Sequence, residues 1–349
     1  GNIHLTGQSY ASNQNDYYTI KMTPDGDVLW TARYNGPGAF LFAHDVAYDI
    51  GLDSTGDVYV TGSSNAPGSA TGDYVTIRYD GATGAQVWLD RYSGGSNEVA
   101  YELAIDAADH LYVTGGSFQN GHKFVTIRYD VATGTRDWVA IDAPAFRNIA
   151  TQIALDAQGD VIVSGLADPD GDESNFNENI ATIKHRASDG AVLWSQSYGS
   201  NAVGTFDVPH DLVIDSADHV FVTGENTGVI ILLEYEGATG ALLQLDTVPG
   251  GPNEIAAGLA MTLDPDERPV IAALARNYNT ENRDYLTLAY PAQTVASRIG
   301  DLDGDDVVGP ADLAMLLASW GRCEACPEDL DGDGDVDAAD LAMLLADWG

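Results

Sequence analysis

The chain alternates short apolar runs with polar turns, and the alternation itself repeats. The runs are four to eight residues long, rich in Val, Ile, Tyr and Thr, and bounded by Gly and Asp. This pattern is typical of β-strands rather than helices. The run at 58–62 returns at 111–115, 161–165 and 220–224, with an earlier copy at 3–7 and a degraded one at 270–274. The period is therefore about 50–60 residues, which indicates a repeat architecture.

Two further blocks recur in each period. One is the apolar segment at 74–80, with relatives at 18–22, 124–130, 181–185 and 285–290. The other is a Gly-containing turn followed by Trp, at 24–30, 82–88, 132–138 and 188–194, where Gln244 replaces the Trp in the fifth copy. With a further run such as 46–52, each repeat carries four strands.

Four-stranded units at this period predict the blades of an all-β propeller over residues 1–296. Six four-stranded blades are visible, which either close the ring or form part of a larger one. The repeated Trp is expected to pack between neighbouring blades, because a single blade cannot bury both of its faces.

Composition narrows the classes of partner. The 53 acidic residues against 15 Lys and Arg give a net charge of −38. Such a surface repels nucleic acid and anionic membranes, so neither is an expected partner. No apolar run approaches the ~20 residues of a membrane span. The chain starts at Gly1 without a signal peptide, and we interpret it as a fragment or processed form.

The Ala82-Thr83-Gly84 turn with Trp88 resembles the tryptophan-bearing repeat of quinoprotein-type propellers. The whole unit is similar to the bacterial secreted β-propeller repeat (SBBP) family. The resemblance implies the propeller fold. Quinone-cofactor dehydrogenases of related architecture place an adjacent cysteine pair beside the cofactor. The only cysteines here are Cys323 and Cys326, so we expect no quinone cofactor.

Loop lengths distinguish two ends of the predicted blades. The connections at 53–57, 106–110, 156–160 and 215–219 are short, and we expect their aspartates to cap backbone N–H groups in tight hairpins. The other connections are longer and unlike one another, at 8–16, 63–73, 116–123, 166–179 and 275–284, and between blades at 35–44 and 199–210. Variable loops on a rigid scaffold usually carry function, so these are the predicted ligand face.

Polar residues also recur at the start of each predicted innermost strand. We expect them to form a mostly acidic ring at the mouth of the central channel, which either binds a ligand or cation or is a solvated polar rim. The ring comprises Asp45, Asp49, Glu98, Glu102, Asn148, Gln152, Asp207, Asp211 and Glu254. A second candidate, a calcium loop or an ordinary acidic loop, contains Asp168, Asp170 and Asp172.

No catalytic residues are predicted. His44 and His210 each precede an aspartate of the ring, but such adjacency is common in so acidic a chain. No nucleophile motif or glycine-rich phosphate loop stands out.

The last fifty residues contain a tandem motif. The acidic loops at 301–312 and 329–340 are each followed by a short apolar segment, at 312–320 and 340–348, which predicts two helices. Oxygen donors at positions 1, 3, 5 and 12, with a backbone carbonyl at position 7, are typical of a calcium-binding loop. Residues 297–349 are therefore predicted to form a small helical, calcium-dependent domain.

This loop–helix pair, with Asp at position 12, resembles a dockerin (type I) domain with tandem EF-hand-like loops. The resemblance implies two bound Ca²⁺ ions and docking to a cohesin-like or cell-surface protein. Asp306 occupies a sharp-turn position usually given to Gly, which weakens the first site. Cys323 and Cys326 lie between the halves and are expected to form a small disulfide loop. The implied ligands are Asp301, Asp303, Asp305, Val307 and Asp312, then Asp329, Asp331, Asp333, Asp335, Asp337 and Asp340.

These features favour a secreted or cell-surface, non-catalytic binding and scaffold protein. Its propeller would present a ligand face, with a glycan as one candidate ligand, and its C-terminal domain would dock to a partner. The alternative is a propeller lyase or glycoside hydrolase in an extracellular polysaccharide-degrading system. A third interpretation is a structural spacer that carries the docking domain.

Overall fold

The computed structural model describes residues 1–11, 14–37, 45–65, 71–118, 121–143, 147–168, 177–199, 206–249, 254–277, 283–290, 302, 309–322 and 335–346. The chain divides into two compact units. The first contains residues 1–263 and 269–288, and the second contains residues 264–268 and 289–349.

The first unit consists of six antiparallel sheets in chain order, here called sheets 1 to 6. Sheet 1 contains β1 (Ile3–Ala11), β2 (Gln14–Met22) and β3 (Val28–Tyr34). Sheet 2 contains β4 (Asp45–Leu52), β5 (Val58–Asn65), β6 (Gly72–Tyr79) and β7 (Gln86–Tyr92). Sheet 3 contains β8 (Glu98–Ile105), β9 (Leu111–Ser117), β10 (Lys123–Tyr129) and β11 (Arg136–Asp142).

The remaining sheets follow the same order. Sheet 4 contains β12 (Arg147–Leu155), β13 (Val161–Asp168), β14 (Asn179–His185) and β15 (Val192–Tyr198). Sheet 5 contains β16 (Asp207–Ile214), β17 (Val220–Asn226), β18 (Val229–Tyr235) and β19 (Leu242–Pro249). Sheet 6 contains β20 (Glu254–Leu263), β21 (Pro269–Asn277) and β22 (Arg283–Ala289).

Sheets 2 to 5 have the predicted four strands in simple up-and-down order, consistent with a propeller-like fold. The first strand of each, together with β20, is the innermost strand, and it packs against the innermost strand of the next sheet. Within the described residues, sheet 1 contains no innermost strand and sheet 6 contains no outermost one. The prediction of six four-stranded blades is therefore confirmed for four sheets, while the other two have three described strands each.

The strands run further than their apolar runs indicate. The predicted loop at 8–16 is mostly strand, because β1 and β2 continue their pairing as far as Ala11 opposite Gln14. The third strands of sheets 2 to 5 are almost wholly buried, which explains their continuous apolar sequence. The two ends of the strands differ. The short Asp hairpins lie at one end, here called the turn edge, and the long connections begin and end at the other, here called the loop edge.

The repeated Trp packs between neighbouring sheets, as predicted, at the four joints that connect sheets 1 to 5. The indole N–H of Trp88 donates to the carbonyl of Val131 at 2.8 Å, and Arg78 Nη1 donates to the same oxygen at 2.7 Å. The joint between sheets 1 and 2 uses Trp30 and Lys21 on the Gly81 carbonyl, at 3.1 and 2.6 Å. A buried carbonyl with no donor costs stability, so the pair of donors ties sheet to sheet. The other two indole bonds are Trp138 to Ala187 and Trp194 to Gly237.

The glycine of the Ala-Thr-Gly turn is required by this joint. Gly134 has φ of 73°, and a Cβ there would lie 2.6 Å from a ring carbon of Trp88. Gly84, Gly190 and Gly240 are placed in the same way against the other three Trp rings. The Gly and the Trp of the sequence motif are therefore the two sides of one kind of contact, in which the Gly of each sheet packs against the Trp of the preceding sheet.

The second unit contains two nine-residue helices, α1 (Pro310–Ala318) and α2 (Ala338–Ala346), and a short strand pair of β23 (Gly321–Arg322) with β24 (Asp335–Val336). Buried Leu316, Val336 and Leu344 form its apolar cluster. Both helices begin two residues before the predicted Asp312 and Asp340. The reason is that each of these carboxylates accepts the N–H three residues before it, that of Gly309 or Asp337, as in a capping box.

We expect Gly134→Ala to destabilise the first unit by about 1–3 kcal/mol more than Gly26→Ala. Both glycines have positive φ, so the backbone strain of the two substitutions is comparable. Only at Gly134 would the methyl group press on Trp88, because nothing lies within 4 Å of a Cβ at Gly26. Denaturant unfolding followed by tryptophan fluorescence measures the difference, and equal losses would show that the Trp contact does not require glycine.

Candidate functional site

The residues of the predicted acidic ring form two separate layers. The first layer lies at the start of the innermost strands. Asp45, Glu98 and Asp207 are the first residues of their strands and Asn148 is the second, and all four are at most 1% exposed. Asp45 Oδ2 accepts the N–H of Gly36 at 2.6 Å, and Glu98 Oε1 accepts the Ser117 hydroxyl at 3.1 Å. The expectation of a solvated rim is therefore wrong for this layer, because these groups are buried at the loop edge. For Glu254 the structure describes only the backbone.

The second layer lies at a β-bulge that every innermost strand contains. The register shifts between Ala47 and Asp49, and again between Ala100 and Glu102. Asp49 Oδ2 then accepts the N–H of Leu103 in the next sheet at 2.9 Å, and Glu102 Oε2 accepts that of Ile153 at 2.6 Å. Asp211 Oδ2 bonds the N–H of Met261 in the same way at 2.6 Å. A bulge interrupts the strand ladder, and here the carboxylate bonds a neighbouring backbone amide.

Burial controls the protonation of this layer. Burial raises the pKa of Glu102 to about 8. The negative charges of Asp49 and Asp211 also raise this pKa, whereas the hydrogen bond from the N–H of Ile153 lowers it. Burial also raises the pKa values of Asp49 and Asp211, against the backbone N–H groups that each carboxylate accepts. Both oxygens of Asp49 are occupied by N–H groups, since Oδ1 accepts Ile50 N. The layer is thus a set of links between sheets.

Of the residues that the bulges add, sequence reasoning singled out only His210. They precede the second-layer positions and are Tyr48, Tyr101, Thr151, His210 and Leu259. The Tyr48 and Tyr101 rings contact each other with centroids 5.4 Å apart, and burial lowers the pKa of His210. His210 was expected in a loop but belongs to β16. Four of the five directly precede a ring residue, and this place in the sequence is the signal that could have indicated them.

A polar cluster around Arg91 fixes the loop edge between sheets 1 and 2. Its guanidinium pairs with Asp73 at 2.9 Å and donates to the Ser64 hydroxyl at 2.7 Å. It also donates to the hydroxyl of Tyr34 in sheet 1 at 2.8 Å. Sheet 1 has the related pair Arg33–Asp16 at 2.5 Å. The sequence did not single out these residues, because their partners lie on other strands.

The candidate calcium loops are only partly described. Asp168 is a buried residue of β13 rather than a loop residue, and Asp170 and Asp172 lie outside the described residues. In the second unit Asp312 and Asp340 are buried, and Asp312 Oδ1 also accepts the N–H of Leu302 at 2.7 Å. Across the described parts of the chain, no group of three or more His, Cys, Asp or Glu could hold a metal ion. The other predicted ligands Asp301, Asp303, Asp305, Val307, Asp329, Asp331 and Asp333, the Asp335 side chain, and both cysteines lie outside the described residues.

We expect wild-type stability to fall relative to Glu102→Gln as the pH rises from about 5 to 8. In this interval the folded chain keeps the Glu102 proton, whereas the unfolded chain has released its own. The stabilisation by the Glu102 proton is complete below the pKa of Glu102 in the unfolded chain. It is lost as the pH rises through the pKa of Glu102 in the folded chain, at no more than about 1.4 kcal/mol per pH unit. The test is urea unfolding over this pH range at constant ionic strength.

Glu102→Gln is a suitable comparison because sheet 4 already has an amide, Gln152, at the same position. Parallel stability curves for the two proteins would contradict the raised pKa. A replacement that cannot accept the Ile153 N–H, Glu102→Ala, should cost about 1–3 kcal/mol at every pH.

Solved structures with a related fold include quinohemoprotein alcohol dehydrogenases. ADHIIG from Pseudomonas putida HK5 has a TM-score of 0.50 and 12% identity, with 78% of this chain and 50% of that chain covered. The enzyme from Comamonas testosteroni has a TM-score of 0.49 and 11% identity, covering 78% and 54%. A protein of unknown function from Bacteroides caccae is 12% identical at a TM-score of 0.36, covering 62% and 70%. The chain thus spans about half the length of these dehydrogenases, and at such identity the likeness concerns the fold alone.

Other comparisons concern the family. No curated protein matches the chain at a significant level. In the part that the structure describes, no helix is long and apolar enough to cross a membrane. Residues 19–272 match the family model PQQ_2, described as outer membrane protein assembly factor BamB, and this is more than half of the chain. The predicted resemblance to quinoprotein-type propellers is confirmed at this level, and the chain belongs to this family of PQQ-like β-propellers.

Proposed function

We propose that this chain is an exported, non-catalytic binding protein whose propeller is a rigid scaffold for a ligand face at its loop edge. The observation that carries the proposal is the use of the innermost carboxylates. Asp49, Glu102 and Asp211 accept backbone N–H groups of the next sheet, which is a structural task. Membership of a family named for an outer-membrane assembly factor supports a cell-envelope location and an interaction role.

The loop edge has the rigidity that a binding platform needs. Arg91 bonds atoms of sheets 1 and 2 at once, and Asp45 fixes the backbone of Gly36 where one inter-blade connection begins. Side chains held in this way lose little further entropy when a ligand binds. The long connections start and end on this platform.

Two exposed aromatic residues at the loop edge favour a glycan as the ligand. Tyr10, near the end of β1, is 70% exposed, and Phe206, just before β16, is 37% exposed. Aromatic rings present a large apolar face at small entropic cost, which suits stacking against a sugar ring. The low content of basic residues also favours a neutral ligand over an anionic polymer.

We expect the full chain to bind at least one of cellohexaose, xylohexaose and mannohexaose without cleaving it. Tyr10→Ala or Phe206→Ala should weaken binding about tenfold, since each removes a stacking surface. Leu29→Ala is the matched control, because Leu29 is similarly exposed but lies on β3 towards the turn edge. Isothermal titration calorimetry measures binding, and a reducing-end assay detects cleavage. Sugar turnover would favour the polysaccharide-degrading alternative, and absence of binding to all three would contradict a glycan face.

For the second unit we propose that two Ca²⁺ ions fold the tandem loops and that the domain docks, in the manner of a dockerin, to a cohesin-like or cell-surface protein. The support is the internal repetition of loop and helix in the sequence, with Asp312 and Asp340 buried at equivalent places on α1 and α2. Close aspartates repel one another unless a cation neutralises them, so binding and folding are coupled.

Calcium titration of the full chain should therefore show two sites. Asp305→Asn should remove the first and Asp333→Asn the second, because each replaces a predicted ligand carboxylate. Asp306→Asn is the control with the same change in charge at a position that supplies no ligand, and it should keep both sites. The readout is Ca²⁺ stoichiometry by calorimetry, together with the amide NMR signals of α1 and α2. Signals that are identical in Ca²⁺ and in chelator would contradict the proposal.

A further inference from the structure

The five hairpins that join an innermost strand to the second strand of its sheet share one design. In each, the first residue is an Asp whose carboxylate accepts the N–H groups of the third and fifth residues, as Asp106 does at 2.9 and 2.8 Å. The fourth residue takes a left-handed conformation in every case. These fourth residues are Gly56, Asp109, Gly159, Asp218 and Glu267.

Where the fourth residue is Asp, it bonds the second residue of the preceding turn. Asp109 accepts the N–H and the hydroxyl of Ser54, at 2.8 and 2.5 Å. Asp218 accepts the N–H of Ala157 at 3.0 Å. This N–H lowers the pKa of Asp218, so the position favours an ionised carboxylate.

Between sheets 3 and 4 the chain supplies no such carboxylate, because the fourth residue is Gly159. A cavity of about 370 Å³ lies there, lined by residues 105–108 and 155–159 and here called the notch. The N–H of Ala107, which corresponds to those of Ser54 and Ala157, has no hydrogen-bond partner among the described residues. A Cβ on Gly159 would meet nothing nearer than Asp106 Oδ2 at 3.8 Å. The volume falls within the ~300–1,000 Å³ range of ligand pockets.

Both carboxylates that line the notch already have partners, and that of Asp156 faces a charged one. Asp106 is held by His110 Nδ1 at 2.7 Å, and Asp156 by the buried ammonium of Lys184 at 2.6 Å. The neighbouring joint also places the carboxylate of Asp218 beside the turn that contains Asp156. The same arrangement therefore already holds a carboxylate at two other joints.

We propose that the notch is a binding site for a carboxylate, which accepts the Ala107 N–H as Asp109 accepts that of Ser54. The rest of the notch accommodates the molecule that carries the carboxylate. This molecule is either a free acid the size of a uronate or a partner protein with an acidic side chain. This site lies at the turn edge, so it is separate from the glycan face proposed above.

The test is a titration of the full-length ¹⁵N-labelled protein at constant ionic strength, read from the amide signals of Ala107 and of residues 157–159. The probes are glucuronate, its neutral methyl ester, and a blocked Gly-Asp-Gly peptide. We expect glucuronate or the peptide to shift these signals in a saturable manner and the ester to leave them unchanged. The stronger of the two acids identifies the source. Equal response to acid and ester, or no response, would overturn the proposal.

Three variants check the geometry. Gly159→Asp supplies the missing carboxylate and should weaken probe binding about tenfold. Gly56→Asp adds the same charge at the same turn position away from the notch, and it should bind the probe as the wild type does. Ala107→Pro removes the N–H donor. A proline is compatible with this turn position, because the turn at 264–268 has Pro265 there. This variant should also weaken binding about tenfold. Wild-type affinity in both Gly159→Asp and Ala107→Pro would overturn the proposal.

Discussion

The joint between neighbouring sheets is the interaction on which the first unit depends. A single antiparallel sheet leaves one or both faces open to water, and only the next sheet can cover them. In this chain the contact is fixed by side chains that reach into the backbone of the next sheet. An indole and a cation meet one turn carbonyl near the turn edge, and at three of the five bulges a carboxylate accepts one amide of the next sheet. Apolar packing holds the sheets together, and these bonds set their alignment.

The joints differ from one another, and each difference marks a position where a bond between neighbouring sheets is missing. Gln244 and Glu234 stand in sheet 5 where other sheets have Trp and a cation. Gly159 replaces the aspartate that links the turns of neighbouring sheets. In a repeat protein each unit contacts mainly its neighbours, so one joint can lose a bond while the others retain theirs. Such positions can therefore take on a ligand without loss of the fold.

Acidity serves different purposes in different parts of the chain. At the turns, aspartates accept backbone N–H groups. In the innermost strands, acidic side chains connect sheets. In the second unit, Asp312 and Asp340 cap the N-termini of the helices. Many of these carboxylates are therefore bonded to N–H donors rather than to Lys or Arg. This explains how a chain with a net charge of −38 folds with so few basic residues.

The sequence by itself determined the repeat, the strand order within it, the Trp joint and the structural role of the turn aspartates. These follow from local patterns that return every fifty or sixty residues, so each copy confirms the others. Only the tertiary structure decided the partner of each polar side chain: that Glu102 bonds Ile153, that Asp45 is buried, and that Ala107 faces a cavity. Each of these facts depends on a neighbouring sheet and on a bulge or turn that aligns the two, and the periodicity of a single strand contains no record of that alignment.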